Sequence, residues 1–398
     1  MNQQIHNSFD QRRIAIFEPY PSFATNPSLV CLSEALTRSG ARVDVLMNAS
    51  NQHLPIDSAL TRYPFPECLP DKSSPNRGTL RGWWEHIQRI RVDRMFAAGA
   101  YDLVLGVDSA GVIAGYKYAR RYGIPLVYLC FEMSFRDELS IDTQIEEKER
   151  ECIASQFADL VIASDRGRAE LLASENGLSL EKFEYLPVSP GGSHRVKGSD
   201  YVRRRFNLTE RQTVVLHSGS FDSWTYAGEL LENVTTWPEG FVLVVHTRYK
   251  PSEADMYVQE LQQAKLPNVV LSTEPLPQDE HEQLVASADI GLALYKAIPR
   301  RYLQKNLQNI GLSSGKFSLY MKYGLPVISV GQQSYAQLLE EYHFGEDLAS
   351  FNEMPMALDR VRSDYAHYRA EAQRLFSEKL DFDIHWVKVA ARLLGVLR

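Results

Sequence analysis

Short apolar runs alternate with helical patterns along the first half of the chain. The runs have the length of buried strands and occur at 13–17, 42–46, 101–107, 125–131 and 159–164. Amphipathic or charged segments of helical length lie between and after them, at 27–40, 109–122, 144–157 and from Arg166 onward. Buried strands separated by helices of about ten to fifteen residues are typical of βαβ units in a parallel sheet.

The alternation stops over residues 187–212, a polar stretch rich in proline, glycine and arginine. Segments of this composition commonly connect domains. Strand-like runs then resume at 213–219, 241–247, 268–272, 289–295 and 326–330, and the chain is helical in pattern from about residue 352. The sequence therefore predicts an α/β protein with two Rossmann-like, doubly wound domains.

We place the first domain at residues 1–190, a linker at 191–212 and the second domain at 213–375. The remaining segment, 376–398, is expected to be a helix that packs back on the first domain. Doubly wound sheets bind ligands beyond the carboxyl ends of their strands, so we expect the active site in the cleft between the domains.

Composition narrows the functional classes. The 398 residues leave room for two or three domains, and the net charge of −7 argues against a nucleic-acid partner. No apolar run reaches the roughly 18 residues of a membrane span, and the first residues lack the apolar core of a signal peptide. The cysteines are scattered and are expected to be reduced, which favours the cytoplasm; they are Cys31, Cys68, Cys130 and Cys152.

Residues 48–100 depart from the alternation. Within them, 81–94 has the pattern of a helix that carries Trp83, Trp84 and several arginines. One interpretation is an inserted helix with solvated arginines. The other is a basic aromatic helix that contacts anionic lipid, which would place the protein at the inner membrane surface.

The stretch "GLSSGKFSLYMKYGLPVISV" (311–330) suggests a phosphate-binding loop. It is not a P-loop, because Gly311 and Gly315 are too close and Phe317 follows Lys316 where a hydroxyl residue is required. The residues "SSGK" instead open a predicted helix that Gly324 ends. A helix start offers unpaired N–H groups and a positive dipole, so this stretch still predicts anion binding.

"ADIGLALY" (288–295), followed by "SSGKFSLYMKYGLPVISV", resembles the C-terminal domain of family-4-type (group 1) glycosyltransferases with the GT-B fold. Weaker matches in the first half are "CFEMS", "ADLVIASDRGRAELL" and "YLPVSP". The resemblance covers most of residues 13–345. It implies transfer of a sugar from a nucleotide-sugar, most simply a UDP-sugar, to a carbohydrate, lipid-linked or small-molecule acceptor.

The resemblance implies that the second domain holds the donor. Its donor-binding positions are Gly219, Ser220, His246, Arg248, Pro277, Tyr295, Ser313, Ser314, Gly315 and Lys316. A lysine and a helix start can stabilise a diphosphate leaving group without a metal, so we expect neither a metal nor a cofactor. An ordinary tight turn remains the alternative for Gly219, core packing the alternative for Tyr295, and a solvated cation at a strand end the alternative for Arg248.

One position departs from the family pattern. Leu319 occupies the place where many relatives have a glutamate that contacts the nucleotide ribose. Gly311 likewise falls where the first glutamate of an E-x7-E pair would be. The sequence therefore leaves ribose recognition and the stereochemistry of transfer open.

Candidate acid–base residues lie in the first domain. Glu132 and Asp108 each follow a predicted strand, and a carboxylate there can accept the proton of an acceptor hydroxyl. The alternative for each is a helix N-cap. Tyr20, Ser22 and Thr25 follow the first strand and are expected to line the acceptor side. A nucleotide-sugar epimerase and a non-catalytic nucleotide-sugar-binding subunit are the alternative functions.

Overall fold

The computed structural model describes residues 8–18, 23–47, 61–64, 101–192, 198–250, 252, 255–298 and 303–397. The chain divides into two compact units. One contains the described residues up to Ser189 together with those from Phe382 onward, and the other extends from Pro190 to Asp381. The predicted helix over 81–94 lies outside the described residues.

The first unit is built on a seven-stranded parallel sheet in the order β3-β2-β1-β4-β5-β6-β7. Its strands are β1 (Arg13–Glu18), β2 (Arg42–Met47), β3 (Thr61–Pro64), β4 (Leu103–Val107), β5 (Leu126–Cys130), β6 (Leu160–Ala163) and β7 (Phe183–Tyr185). Its first four helices are α1 (Pro27–Arg38), α2 (Asp108–Tyr122), α3 (Asp142–Phe157) and α4 (Arg166–Asn176). The central strands are almost wholly apolar because helices cover both faces of the sheet.

The second unit contains a six-stranded parallel sheet in the order β10-β9-β8-β11-β12-β13. Its strands are β8 (Thr213–Ser218), β9 (Phe241–His246), β10 (Val269–Ser272), β11 (Ile290–Leu292), β12 (Val327–Val330) and β13 (Gly345–Leu348). Its helices are α5 (Tyr201–Phe206), α6 (Ala227–Asn233), α7 (Met256–Ala264), α8 (Gln278–Ala286), α9 (Gln304–Gln308), α10 (Gly315–Tyr323), α11 (Ala336–Tyr342), α12 (Met354–Ser363) and α13 (Tyr365–Leu375).

Short segments complete both units. A π-helical turn, Phe376–Leu380, continues α13. The 3-10 helices are Phe23–Thr25, Arg136–Glu138, Leu180–Lys182, Ser223–Thr225, Val234–Thr236, Gly311–Ser313, Gln333–Tyr335 and Phe351–Glu353. Within the described ranges, no helix combines the length and the apolar composition that crossing a membrane requires.

The last helix, α14 (Phe382–Val396), belongs to the first unit. Its buried residues Trp386, Val389 and Leu393 join the same apolar cluster as Leu29 of α1. The remaining helices α2 to α4 contribute to the cluster on the opposite face of the sheet. The C-terminal segment thus closes the core of the first unit.

The predicted fold class is confirmed, since both units are doubly wound parallel α/β structures. Three strands were not predicted: β3, β7 and β13. All three are edge strands, and their sequences "TRYP", "FEY" and "GEDL" lack an apolar run. An edge strand is paired on one side only and can keep polar side chains, so hydrophobic patterning does not reveal it. The residues placed in the linker belong to the second unit and contain α5.

Candidate functional site

The second unit presents a helix start at the carboxyl edge of its sheet. Ser314 caps α10, and its Oγ accepts a hydrogen bond of 3.1 Å from the N–H of Phe317. Gly324 ends the helix in the left-handed conformation, with φ of 69°. The Ser314 hydroxyl also bonds the hydroxyl of Tyr295, which follows β11. The structure therefore joins three predicted donor residues, Ser314, Gly315 and Tyr295, around one helix start.

Lys316 lies in the first turn of α10. Although part of the residue is exposed, its Nζ is buried and has no hydrogen-bond partner among the residues that the structure describes. Nζ lies 4.9 Å from the centroid of the Tyr295 ring. Burial lowers the pKa of Lys316 to about 7, and the positive charge of Arg248 adds to the effect. The Lys316 amino group is thus held out of water with no hydrogen-bond partner among the described residues, and it titrates near neutral pH.

Arg248 supplies a second positive charge at this edge. It follows β9 by two residues, and burial lowers the pKa of its guanidinium. Arg248 and Lys316 are each partly buried, so each loses some of its hydration, and their like charges repel each other. An anion bound between them would relieve both effects. The pair therefore has the electrostatics of an anion site.

A glycine turn follows β8 at the same edge. Gly219 has φ of 117°, and its N–H donates to the carbonyl of His246 over 2.9 Å. A Cβ on Gly219 would meet no atom within 4 Å, so the position needs glycine for its backbone angle and not for space. The carbonyl of the next residue, Ser220, is bonded by His217 Nε2 at 2.9 Å and Thr225 Oγ1 at 3.1 Å. The turn is therefore fixed by buried side chains.

Three buried histidines surround the strand ends. Burial, and then the nearby Lys316, lowers the pKa of His217 to about 3, while burial and Arg248 lower that of His246 to about 4. Burial lowers the pKa of His281 as well. His246 Nδ1 lies 3.1 Å from Ser272 Oγ, and His281 Nε2 lies 3.0 Å from Ser218 Oγ. The histidines are neutral near pH 7 and leave the positive charge to Lys316 and Arg248.

The remaining donor positions are less enclosed. Ser313 ends the 3-10 helix that precedes α10 and is partly exposed. Pro277 is exposed, and its carbonyl accepts from the N–H of His281 at 2.9 Å. Leu319, at the position of the expected glutamate, is buried in the apolar cluster of the second unit. That position therefore contributes to the core instead of to a polar contact.

In the first unit, Asp108 and Glu132 follow the neighbouring strands β4 and β5. Asp108 is 6% exposed, and its Oδ1 accepts from the N–H groups of Phe131 at 2.8 Å and Glu132 at 2.9 Å. Burial, followed by the charge of Glu132, raises the pKa of Asp108 to about 7. Asp108 makes no side-chain cap of α2, whose N-cap is Val107. Glu132 itself is exposed, as a group that meets a substrate must be.

The predicted acceptor residues are only partly described. Thr25 is exposed at the end of the 3-10 helix after β1. Tyr20 and Ser22 lie outside the described residues.

Sequence reasoning missed Arg168 and His217. Arg168 is 2% exposed and donates from Nη2 to the carbonyl of Phe131 at 2.6 Å. It lies within "SDRGRAELL", where an arginine one turn into a helix gives no sign that it is buried. His217 occurs in an apolar strand pattern, and a polar residue at the carboxyl end of such a strand was the available signal.

No protein-family model matches the chain, and no curated protein matches it. Solved structures do. HepE from Anabaena in complex with UDP is 16% identical over 97% of this chain and 100% of its own, with a TM-score of 0.70. A sucrose-phosphate synthase from Thermosynechococcus elongatus is 13% identical over 97% of this chain and 99% of its own, with a TM-score of 0.71.

A putative UDP-N-acetylglucosamine 2-epimerase from Listeria monocytogenes is also similar. It is 12% identical over 91% of each chain, with a TM-score of 0.55. At these identities the likenesses show the fold, which is the GT-B fold expected from the sequence.

Proposed function

We propose that the protein is a glycosyltransferase that moves a sugar from a nucleotide-sugar, most simply a UDP-sugar, to a hydroxyl-bearing acceptor. The observation that carries the proposal is the buried Nζ of Lys316 at the start of α10, which has no hydrogen-bond partner among the described residues and has Arg248 as its charged neighbour. A diphosphate supplies negative charge and acceptor oxygens that a lysine, an arginine and a helix start can bind. The GT-B fold, which HepE in its UDP complex also has, is consistent with this ligand.

The chemistry follows from the charge that develops during transfer. The acceptor oxygen forms a bond to the anomeric carbon of the sugar, and the bond from that carbon to the diphosphate oxygen breaks. The leaving diphosphate takes the electron pair, and Lys316, Arg248 and the positive end of the α10 dipole stabilise it. The acceptor proton passes to a carboxylate, for which Glu132 is the exposed candidate. No metal is required in this scheme.

An epimerase is the second candidate, because one similar structure is a putative UDP-N-acetylglucosamine 2-epimerase. The same cationic helix start would serve a nucleotide-sugar in either reaction. The two functions differ in their need for an acceptor. Sugar conversion by the protein alone supports the epimerase, whereas product that forms only when an acceptor is supplied supports the transferase.

A ligand screen tests the proposal first. Thermal unfolding is measured with UDP-, GDP-, TDP- and CDP-sugars, since a ligand that binds the folded state raises the unfolding temperature by mass action. We expect one nucleotide class to stabilise the protein and the free sugars to have no effect. Carbohydrate, lipid-linked and small-molecule acceptors are then supplied with that donor. Stabilisation without product from any acceptor would favour the non-catalytic subunit, and no stabilisation would contradict all three functions.

A further inference from the structure

The peptide group between Phe131 and Glu132, just beyond β5, is held from two sides by buried charged side chains. Asp108 Oδ1 accepts from both N–H groups of this pair, at 2.8 and 2.9 Å. Arg168 Nη2 donates to the Phe131 carbonyl at 2.6 Å. Asp108 begins α2 and Arg168 lies in the first turn of α4, so two helix starts converge on one peptide.

The approach of Asp108 depends on an unusually direct connection between β4 and α2. The strand ends at Val107 and the helix begins at Asp108, whose φ of 50° is left-handed. Asp is among the few residues with a side chain that tolerate this conformation. Gly111 lets the helix press on the sheet, because a Cβ there would lie 2.4 Å from the carbonyl oxygen of Phe17. This geometry directs the carboxylate sideways toward the end of β5.

Arg168 reaches the same peptide from the opposite side. Its own N–H donates to Asp165 Oδ1, the cap of α4, over 2.9 Å, which fixes the start of the helix. Burying a guanidinium and a carboxylate is costly, and apolar side chains of similar volume commonly stabilise a core as well or better. Stability alone therefore does not explain why two charged groups occupy this place.

We propose that Asp108 and Arg168 are positioning residues, which fix the Phe131–Glu132 peptide and thereby the exposed Glu132 carboxylate toward the acceptor hydroxyl. The inference rests on the proposed transferase function. It assigns Asp108 an action through Glu132 and not on the substrate.

The electrostatics around Asp108 support this assignment. The titratable groups that face it are Glu132, Arg168, Cys130 and Tyr128. With a pKa raised to about 7 by burial, Asp108 gains a proton as the pH falls below neutrality. A neutral carboxyl group accepts weaker hydrogen bonds than a carboxylate. Asp108 should therefore bind the N–H groups of Phe131 and Glu132 more weakly when the pH falls slightly below neutral.

A double-mutant cycle separates positioning from direct action. Turnover of UDP-glucose, followed as UDP release with an acceptor that gives product, is compared for Asp108→Ala, Glu132→Gln and the double variant. We expect Asp108→Ala to lower kcat at least tenfold with little change in donor KM, and the double variant to be no slower than Glu132→Gln. Multiplicative losses would overturn the proposal, because Asp108 would then act independently of Glu132.

Asp108→Asn is the conservative variant and also guards against misfolding. It keeps an oxygen that can accept from both N–H groups but cannot take up a proton near neutral pH. We expect it to recover part of the rate lost in Asp108→Ala and, at saturating donor, to remove the step that Asp108 gives near pH 7 in the profile of kcat against pH. An Asn variant as slow as the Ala variant would make Asp108 the proton acceptor and overturn the positioning role.

Amide hydrogen exchange tests the contact without any substrate. Asp108→Ala should speed exchange at Phe131 and Glu132. The matched control is Asp159→Ala, which removes a carboxylate that accepts from the N–H of Leu126, at the other end of β5, over 3.0 Å. It should leave the exchange of Phe131 and Glu132 and the turnover unchanged.

Unchanged exchange in Asp108→Ala would overturn the proposal, as would faster exchange with an unchanged rate. Failure of the transferase function would appear separately, as lack of product in the wild-type protein. In that event faster exchange would still establish the hold on the peptide but remove its catalytic purpose, which also overturns the proposal.

Discussion

The carboxyl edges of the two sheets carry opposite chemistry on the same architecture. In the first unit, the ends of β4 and β5 carry carboxylates, Asp108 and Glu132, with backbone N–H groups directed at the buried one. In the second unit, the corresponding edge carries two cations, Lys316 and Arg248, among neutral histidines. In both units the doubly wound sheet determines where a ligand can bind, and the few residues that follow its strands determine the charge of that site.

The same physical cause acts on both edges with opposite sign. Burial raises the pKa of Asp108 to about 7 and lowers that of Lys316 to about 7. In each case a neighbour of like charge, Glu132 or Arg248, adds to the shift. Both groups are thereby brought to titrate near neutral pH, where groups in enzyme sites commonly act. If the two edges have the proposed roles, substitutions at the edge of the first unit should lower the rate of turnover. Substitutions at the edge of the second unit should weaken donor binding.

The largest expected effect is the loss of catalytic rate when Glu132, at the edge of the first unit, is replaced. Glu132→Gln keeps the shape of the side chain and removes the proton acceptor, so kcat should fall by about 10²–10⁴-fold. The affinity for the nucleotide should remain nearly unchanged, because the proposed donor residues lie in the second unit. The measurement is kcat with both KM values, and Asp137→Asn, another exposed acid of this region, serves as the control. A kcat within a few-fold of wild type would remove the role from Glu132.

The next effect concerns binding in the second unit. Lys316→Met should weaken the affinity for a nucleoside diphosphate by about 10- to 150-fold, which corresponds to roughly 1.5–3 kcal/mol for hydrogen bonds to a charged group. Isothermal calorimetry gives the affinity. The control is Lys322→Met in the last turn of the same helix, where the lysine lies 3.7 Å from Glu282 and away from the helix start. Equal affinities in Lys316→Met and wild type would exclude the assignment.

Lys316→Met should also increase the stability of the ligand-free protein, although it weakens nucleotide binding. The pKa of Lys316 is lower in the folded state than its ordinary value of 10.5. Below pH 10.5 the unfolded chain therefore binds a proton that the folded protein binds only near pH 7, and folding stability falls across that window as the pH decreases. Lys316→Met removes this penalty. Its free energy of unfolding at pH 7 should be higher than that of wild type, although its nucleotide affinity is lower.

A smaller effect should appear in the pH dependence of binding. A bound diphosphate favours the charged form of Lys316, so the pKa of about 7 rises and binding takes up roughly one proton at pH 8. Nucleotide affinity should then fall about tenfold between pH 8 and pH 9. Calorimetry in buffers of different ionisation enthalpy measures the uptake. His217, with a pKa of about 3, remains neutral throughout, so Lys316→Met should abolish the uptake.

Many of the residues at the two edges could be predicted from the sequence. The residues that could not be predicted share a physical reason. The start of α10 was predicted because Ser314, Gly315 and Gly324 act through local backbone chemistry, which neighbouring residues reveal. The carboxylates were predicted because polar residues at the ends of apolar strands are visible in a pattern. Both signals depend on residues that lie close together in the chain.

Long-range arrangements could not be predicted in this way. Arg168 meets Phe131, and Arg248 influences Lys316, only because the sheets bring distant segments together. Burial then determines their electrostatics, and burial of a charged side chain opposes the average tendency of its residue type. The edge strands β3, β7 and β13 were missed for the related reason that pairing, and not apolar content, defines them.

The smallest expected effect is that of metal removal. In the proposed scheme two cations and a helix start balance the charge of the diphosphate, which is the task that Mg²⁺ performs in other sites. Excess EDTA should therefore change neither the nucleotide affinity nor the rate of product formation by more than about twofold. The control is Lys316→Met assayed with and without Mg²⁺, since a metal could substitute for the missing ammonium and partly restore binding. The wild-type protein could instead lose its activity in EDTA and recover it when Mg²⁺ is added. That result would mean that Lys316, Arg248 and the start of α10 do not neutralise the donor diphosphate by themselves.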